Sequence, residues 1–161
     1  MNKVSLVQLA NLRFFDLSET ESSVLQAVEN GQEAAAASPF SIRAEVLEWL
    51  CTDTDAIEKV HRHGLALRGY GITGLLDLIH ADIRFPIQMR ECAFDTDIWL
   101  KSARLRSLSF RGCSLQGMNA DSSIIDTNLL LVDGSETHGE VSLRGAVVGR
   151  HPDRQIYLQW E

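Results

Sequence analysis

The sequence predicts a mainly β fold, a solenoid of short stacked strands with an α-helical cap at its N-terminal end. The first of three observations is a series of apolar residues, Leu67, Leu78, Met89, Leu100, Phe110, Ala120, Leu131 and Leu143, separated by 11, 11, 11, 10, 10, 11 and 12 residues. A second series, Ile72, Ile83, Phe94, Leu105, Leu115, Ile125 and Val148, lies five residues after most of the first. Two places before each member of the second stand Tyr70, Ala81, Cys92, Ala103, Cys113, Ser123 and Ala146, and six of these seven are small. A helix turning every 3.6 residues carries a five-residue step around its axis, so no helical face explains the pattern. Straight segments joined by corners do. Each side contributes one large inward residue, and the residue two places earlier points inward near a corner, where only a small side chain fits. Two 11-residue units then close a square coil of 21–22 residues, and stacked coils pair as parallel strands about 4.8 Å apart.

The cap is read from the first third of the chain, with residues 1–60 as a helical region and residues 61–161 as a solenoid of about four coils. Ser18 to Asn30 is the first expected helix: Ser18 and Glu21 form a capping box, Gly31 is a stop, and Val24, Leu25 and Val28 share a face. The alanine run Ala34–Ala37 and the punctuation Ser38-Pro39-Phe40 separate it from a second helix over SIRAEVLEWLC, where Ile42, Val46, Leu47, Trp49 and Leu50 fall at helical spacings. The stretch TDTDAIEKVHRHG breaks that helix. Strands follow near Leu65–Leu67, Leu76–Leu78, Ile87–Met89, Ile98–Leu100, Leu108–Phe110, Leu129–Leu131 and Val141–Leu143.

The repeats ADIRF, CAFDT, ARLRS, CSLQG and AVVGR resemble the unit of pentapeptide-repeat proteins, in a divergent bacterial form in which a helix such as IRAEVLEWL precedes coils such as GLALRGYGITGLLDL. Intervening stretches such as LLDLIH and FPIQMR run one residue longer than a strict repeat. The resemblance spans residues 41–150 and implies a right-handed quadrilateral β-helix, often a rigid protein-binding surface and in some members a mimic of DNA that protects gyrase. A mimic replaces a phosphate at every step and needs an acidic solenoid. Here 10 acidic against 4 basic residues give residues 1–60 a net −6, whereas 12 acidic against 11 basic give residues 61–161 only −1, so the acidity lies in the cap.

The coil register nominates surface residues. Arg68, Arg90 and Arg111 stand 22 and 21 apart, directly after inward positions, and should form an outward column; Arg84 and Arg106 form a shorter column on another side. These five are the candidate partner-binding residues. Cys92 and Cys113, 21 apart, should stack inside as small hydrophobes. His61 and His63 share a side of an extended segment but lack an evident third ligand, so no metal is assigned. Asp95 and Asp97 alternate onto one side, a pattern that suits an exposed acidic corner better than an acid/base pair. There is no GxSxG, HExxH or phosphate-binding glycine loop, and the strict six-residue period of hexapeptide acyltransferases does not fit.

The expected function is therefore a non-catalytic binding or scaffold module without cofactor or metal. The alternatives are a regulator of a DNA-processing enzyme and an enzyme of unknown class. The partner is expected to be a protein, with nucleic acid possible but not favoured. No apolar run approaches the roughly 20 residues that span a bilayer, and MNKVSLVQLANLRFFDLSE has neither an apolar h-region nor a small-residue cleavage site, so the expected location is the cytoplasm. Ile156, Leu158 and Trp160 fall on one side of a last extended segment, where they are expected to join two copies end to end as a homodimer.

Overall fold

A computed structural model of the chain describes residues 3–149 and 155–158. From Leu65 onward the backbone winds into a parallel β-solenoid of about four turns, and helices precede it. Each turn has four sides. Strand β2 (Leu65–Thr73) bends across a corner and founds two of them. On the first side, residues 65–68 are followed by Ile87–Arg90, Leu108–Arg111, Asn128–Val132 and Gln155–Leu158. The second continues through Ala93–Phe94, Ser114–Leu115 and Glu136–Thr137. The third stacks Leu76–Asp77, Ile98–Trp99, Met118–Asn119 and Val141–Ser142, and the fourth stacks Asp82–Ile83, Arg104–Leu105, Ile124–Ile125 and Val147–Val148.

The register matches the spacing of the sequence. Leu67 pairs with Met89, Met89 with Phe110, and Phe110 with Leu131. Leu67, Met89, Phe110 and Leu131 are all buried, as are Ile72, Ile83, Phe94, Leu105, Leu115 and Ile125. The rings of Phe94 and Phe110 meet edge to face at 5.9 Å inside the bore. Successive coils thus bury large side chains one above another, each contributing about 1.5–3 kcal/mol relative to exposure.

Two corners of each turn are tight, and both use left-handed backbone. Glu91 (φ 52), Gly112 (φ 62) and Asp133 (φ 58) stand at the corner between the first and second sides; His80 (φ 61), Ser102 (φ 56), Ser122 (φ 58) and Gly145 (φ 69) stand between the third and fourth. At the latter corner the amides of Ala81, Ala103, Ser123 and Ala146 donate to the carbonyls of Leu78, Leu100, Ala120 and Leu143, closing four-residue turns with positive φ at the third position. The small inward residue comes immediately after that position. Its side chain enters a space already narrowed by the turn, so Ala81, Ala103 and Ser123 fit where a leucine would not. Tyr70, the large exception, is buried on the first coil, where β2 pairs with a cap strand.

That first pairing departs from the sequence reading. Residues Ala34–Arg43, read as an alanine run, punctuation and the start of a helix, form strand β1, parallel to β2 and bulged between Ala35 and Phe40. The open edge of β2 offers unpaired amides and carbonyls, and pairing with it outweighs the helical preference of alanine. Ile42 accordingly belongs to the strand.

Four helices make up the rest of the cap: α1 (Leu6–Arg13), α2 (Glu19–Asn30), α3 (Ala44–Thr52) and α4 (Thr54–Lys59). In α2 the capping box of Ser18 and Glu21 and the left-handed Gly31 end are both present. Helix α1 was not anticipated, although Ser5 and Gln8 form a capping box of the same kind. Helix α4 corrects the reading of TDTDAIEKVHRHG as a plain break: Asp53 ends α3, and its side chain accepts the Ala56 amide at 3.0 Å to start α4. His61 and His63 lie in the turn that follows, not in an extended segment, with their rings 4.5 Å apart.

Helix α3 closes the N-terminal mouth. Its Leu47 and Cys51 face the axial space lined by Leu65, Leu76, Leu78 and Ile87. Strand β1 adds a rung to two sides, and α3 packs against the strands that begin the other two. One hydrophobic core therefore runs from Leu6 through the bore to Val148.

Within the cap lies the one buried carboxylate among the described residues. Glu21 is 2% exposed and accepts from the Arg43 amide (3.0 Å), from the Arg43 Nε and Nη2 atoms (3.0 and 2.9 Å) and from the Ser18 amide (3.0 Å). Burial works to raise its pKa, but these donors prevail and bring it down to about 2.

Candidate functional site

In-register stacking turns the solenoid's outward positions into straight columns, and the arginine column is one of them. Arg68 pairs with Arg90 and Arg90 with Arg111 along the first side. The sequence does not show how their charge is balanced. Arg68 Nε reaches Glu91 at 3.4 Å, Arg90 Nε reaches Glu33 of the cap at 3.8 Å, and Arg111 Nη1 reaches Asp133 at 2.8 Å. Glu91 and Asp133 occupy the left-handed corner beside the column, so each carboxylate lies one coil beyond the arginine that it meets. The first side carries an alternating ladder of charge around a shallow groove lined by Arg68, Arg90, Glu91, Arg111, Gly112 and Asp133. Each exposed pair is worth about 0–1 kcal/mol, so the ladder orients side chains more than it holds the fold.

Arg84 and Arg106 lie elsewhere, following the fourth side. Together with Arg104 they border a groove in which Asp82 meets Arg84 (3.5 Å) and Asp126 meets Arg104 (3.4 Å). The five candidate arginines thus divide between two surfaces.

No protein-family model, curated protein or solved structure matches the chain.

Cys92 and Cys113 are buried neighbours in the corner column, as their spacing predicted. The Cys113 thiol donates to Met89 O at 3.3 Å and that of Cys92 to Arg90 O at 3.3 Å. The neighbouring Cys92 sulfur and burial raise the pKa of Cys113, and burial pushes Cys51 up to about 12. Ser135 completes this column. Its hydroxyl accepts the Cys113 amide at 3.1 Å and lies 3.2 and 3.0 Å from the Phe110 and Val132 carbonyls that it can donate to. The spacing missed Ser135 because Asp133 and Gly134, both with positive φ, widen that corner by one residue.

Asp95 and Asp97 have different surroundings. Asp95 accepts the Gly74 amide at 2.8 Å and the Thr96 hydroxyl at 2.9 Å, whereas Asp97 lines a groove beside exposed Trp99. Asp121, in the same groove as Asp97, accepts from the Ser142 hydroxyl and the Arg144 amide, which lower its pKa. Among the described residues no three His, Cys, Asp or Glu side chains are grouped to hold a metal ion, and no helix is long and apolar enough to cross a membrane.

Of the expected dimer residues, Ile156 and Leu158 lie in the strand Gln155–Leu158, as register partners of Leu129 and Leu131. Trp160 lies outside the described residues.

Proposed function

We propose that this chain is a non-catalytic protein-binding or scaffold module whose first side docks a partner. The observation that carries the reading is the charge ladder, in which Arg68, Arg90 and Arg111 are fixed in register and each is oriented by a carboxylate. A rigid sheet presents these groups without having to order them on binding, and alternating sign favours a partner of complementary alternating charge. A polyanion such as nucleic acid gains less, because the carboxylates lie beside the cations it would need.

The small-then-large inward pattern supports a place among divergent bacterial pentapeptide-repeat-like proteins working in the cytoplasm, with residues 1–60 as cap and 61–161 as solenoid. An end-to-end homodimer through Ile156, Leu158 and Trp160 belongs to the same proposal. Pull-down from the source cell with mass spectrometry tests the binding face. Arg90→Glu with Arg111→Glu should abolish capture while leaving the circular dichroism spectrum unchanged, since both side chains are about half exposed. Unchanged capture returns the ladder to ordinary solvated surface.

A further inference from the structure

Ten arginines lie among the described residues, and six of them, Arg43, Arg68, Arg84, Arg90, Arg104 and Arg111, have a carboxylate within ion-pair distance. Among those residues Arg13, Arg62, Arg106 and Arg144 meet none, and of these Arg62 and Arg106 line one groove of about 600 Å³ between the cap and the solenoid. Arg62 comes from the turn that leads into β2, and Arg106 follows the strand Arg104–Leu105. We propose that this groove binds a phosphate group between the guanidiniums of Arg62 and Arg106. The site is distinct from the partner-binding ladder.

The other lining residues suit that ligand. Gln32 and Gln88 add side-chain amides able to donate hydrogen bonds. Glu33, the one carboxylate of the lining, lies 3.8 Å from Arg90 on the neighbouring column. The adjoining groove does not neutralise Arg106 either, because Asp82 and Asp126 lie against Arg84 and Arg104. In a chain of net charge −7 this leaves a local excess of positive charge. A dianionic phosphate offers acceptor oxygens in several directions, matching two guanidiniums from separate segments, where a carboxylate offers a single planar edge.

The walls are set by backbone with little room to move. A Cβ on Gly31 would lie 2.4 Å from the His61 ring, and one on Gly64 would lie 2.1 Å from Pro86 O. The Gly64 amide donates to His61 O at 2.8 Å and the Leu65 amide to Pro86 O at 3.0 Å, while His63 Nδ1 lies 3.1 Å from Gly31 O. The turn bearing Arg62 is thus fastened to both the end of α2 and the second coil. A volume of this size accepts a small phosphorylated molecule or one phosphorylated side chain.

The test is a titration of the whole chain with inorganic phosphate, followed by NMR through the side-chain amides of Gln32 and Gln88 and the backbone amides of Gly64 and Ala66. Binding should saturate, with Arg62→Gln and Arg106→Gln each weakening it by about tenfold or more and Arg144→Gln leaving it unchanged. A phosphoserine dipeptide and a sugar phosphate form two further arms. Tighter binding of the peptide assigns the group to a modified protein, tighter binding of the sugar phosphate to a soluble metabolite, and either supports the site. Shifts no larger with phosphate than with chloride, or a Arg62→Gln/Arg106→Gln double variant that is folded and binds as well as the parent, would overturn it. Partner capture through Arg90 and Arg111 is read separately, so the loss of one activity leaves the other standing.

Discussion

Glu21 and Arg43 are joined through both backbone and side chain. The buried carboxylate accepts the Arg43 amide and also two nitrogens of its guanidinium, tying the first turn of α2 to the junction of β1 and α3. Its pKa falls from 4.5 to about 2, so its stabilising effect is full above about pH 4.5 and is lost as pH drops through about 2. The melting temperature should decline across that window. Glu21→Gln should melt lower at neutral pH and show a flatter acid limb; parallel acid limbs for parent and variant would contradict the linkage.

Ala103 and Lys101 stand two residues apart in one turn, the first 1% exposed and the second on the outside. Ala103→Leu forces volume into a site sized for a methyl group and should cost roughly 1–3 kcal/mol, whereas Lys101→Leu should be nearly neutral. Thermal melts of the two variants check this, and equal losses would contradict the inward and outward assignment.

Gly64 and Gly134 share a left-handed backbone, φ 77 and 82, but not the same surroundings. A Cβ at Gly134 meets nothing within 4 Å, whereas at Gly64 it collides with the Pro86 carbonyl at 2.1 Å. Gly134→Ala should cost about 1 kcal/mol from backbone preference alone, and Gly64→Ala distinctly more. Denaturant midpoints separate the two effects.

Cys51, Cys92 and Cys113 are all free and buried. An aromatic disulfide reagent at neutral pH should label almost none of them in the native protein and all three after denaturation, since attack requires an exposed thiolate. Rapid native labelling would mean that the solenoid wall opens readily.

The coil architecture was legible because these inward positions recur after 21 or 22 residues, so Leu67, Met89, Phe110 and Leu131 announce their own stacking. The left-handed corners were not, because His80, Glu91, Ser102, Ser122 and Asp133 have no side-chain chemistry in common; geometry of the turn selects that conformation. Strand β1 was hidden because its conformation is imposed by the edge of β2. The arginine column could be placed from the register alone, but its carboxylates could not, since Glu33 comes from the cap and Glu91 and Asp133 act across coils. The groove of Arg62 and Arg106 draws on residues 31–33, 62–66, 86–88 and 106, which only the folded chain brings together.

The plug that α3 forms over the bore gives the stack a direction in time. Each new coil closes a loop of nearly constant length, 22 residues from Leu67 to Met89 and 21 from Met89 to Phe110, so every step carries a similar closure entropy. What differs is the surface already in place to receive it. The first coils meet a helix and an extra strand, while at the far end Thr137, Val141 and Leu143 are only partly buried. Amide exchange should therefore be slowest under the plug and quicken coil by coil away from it, as in a zipper fastened at one end.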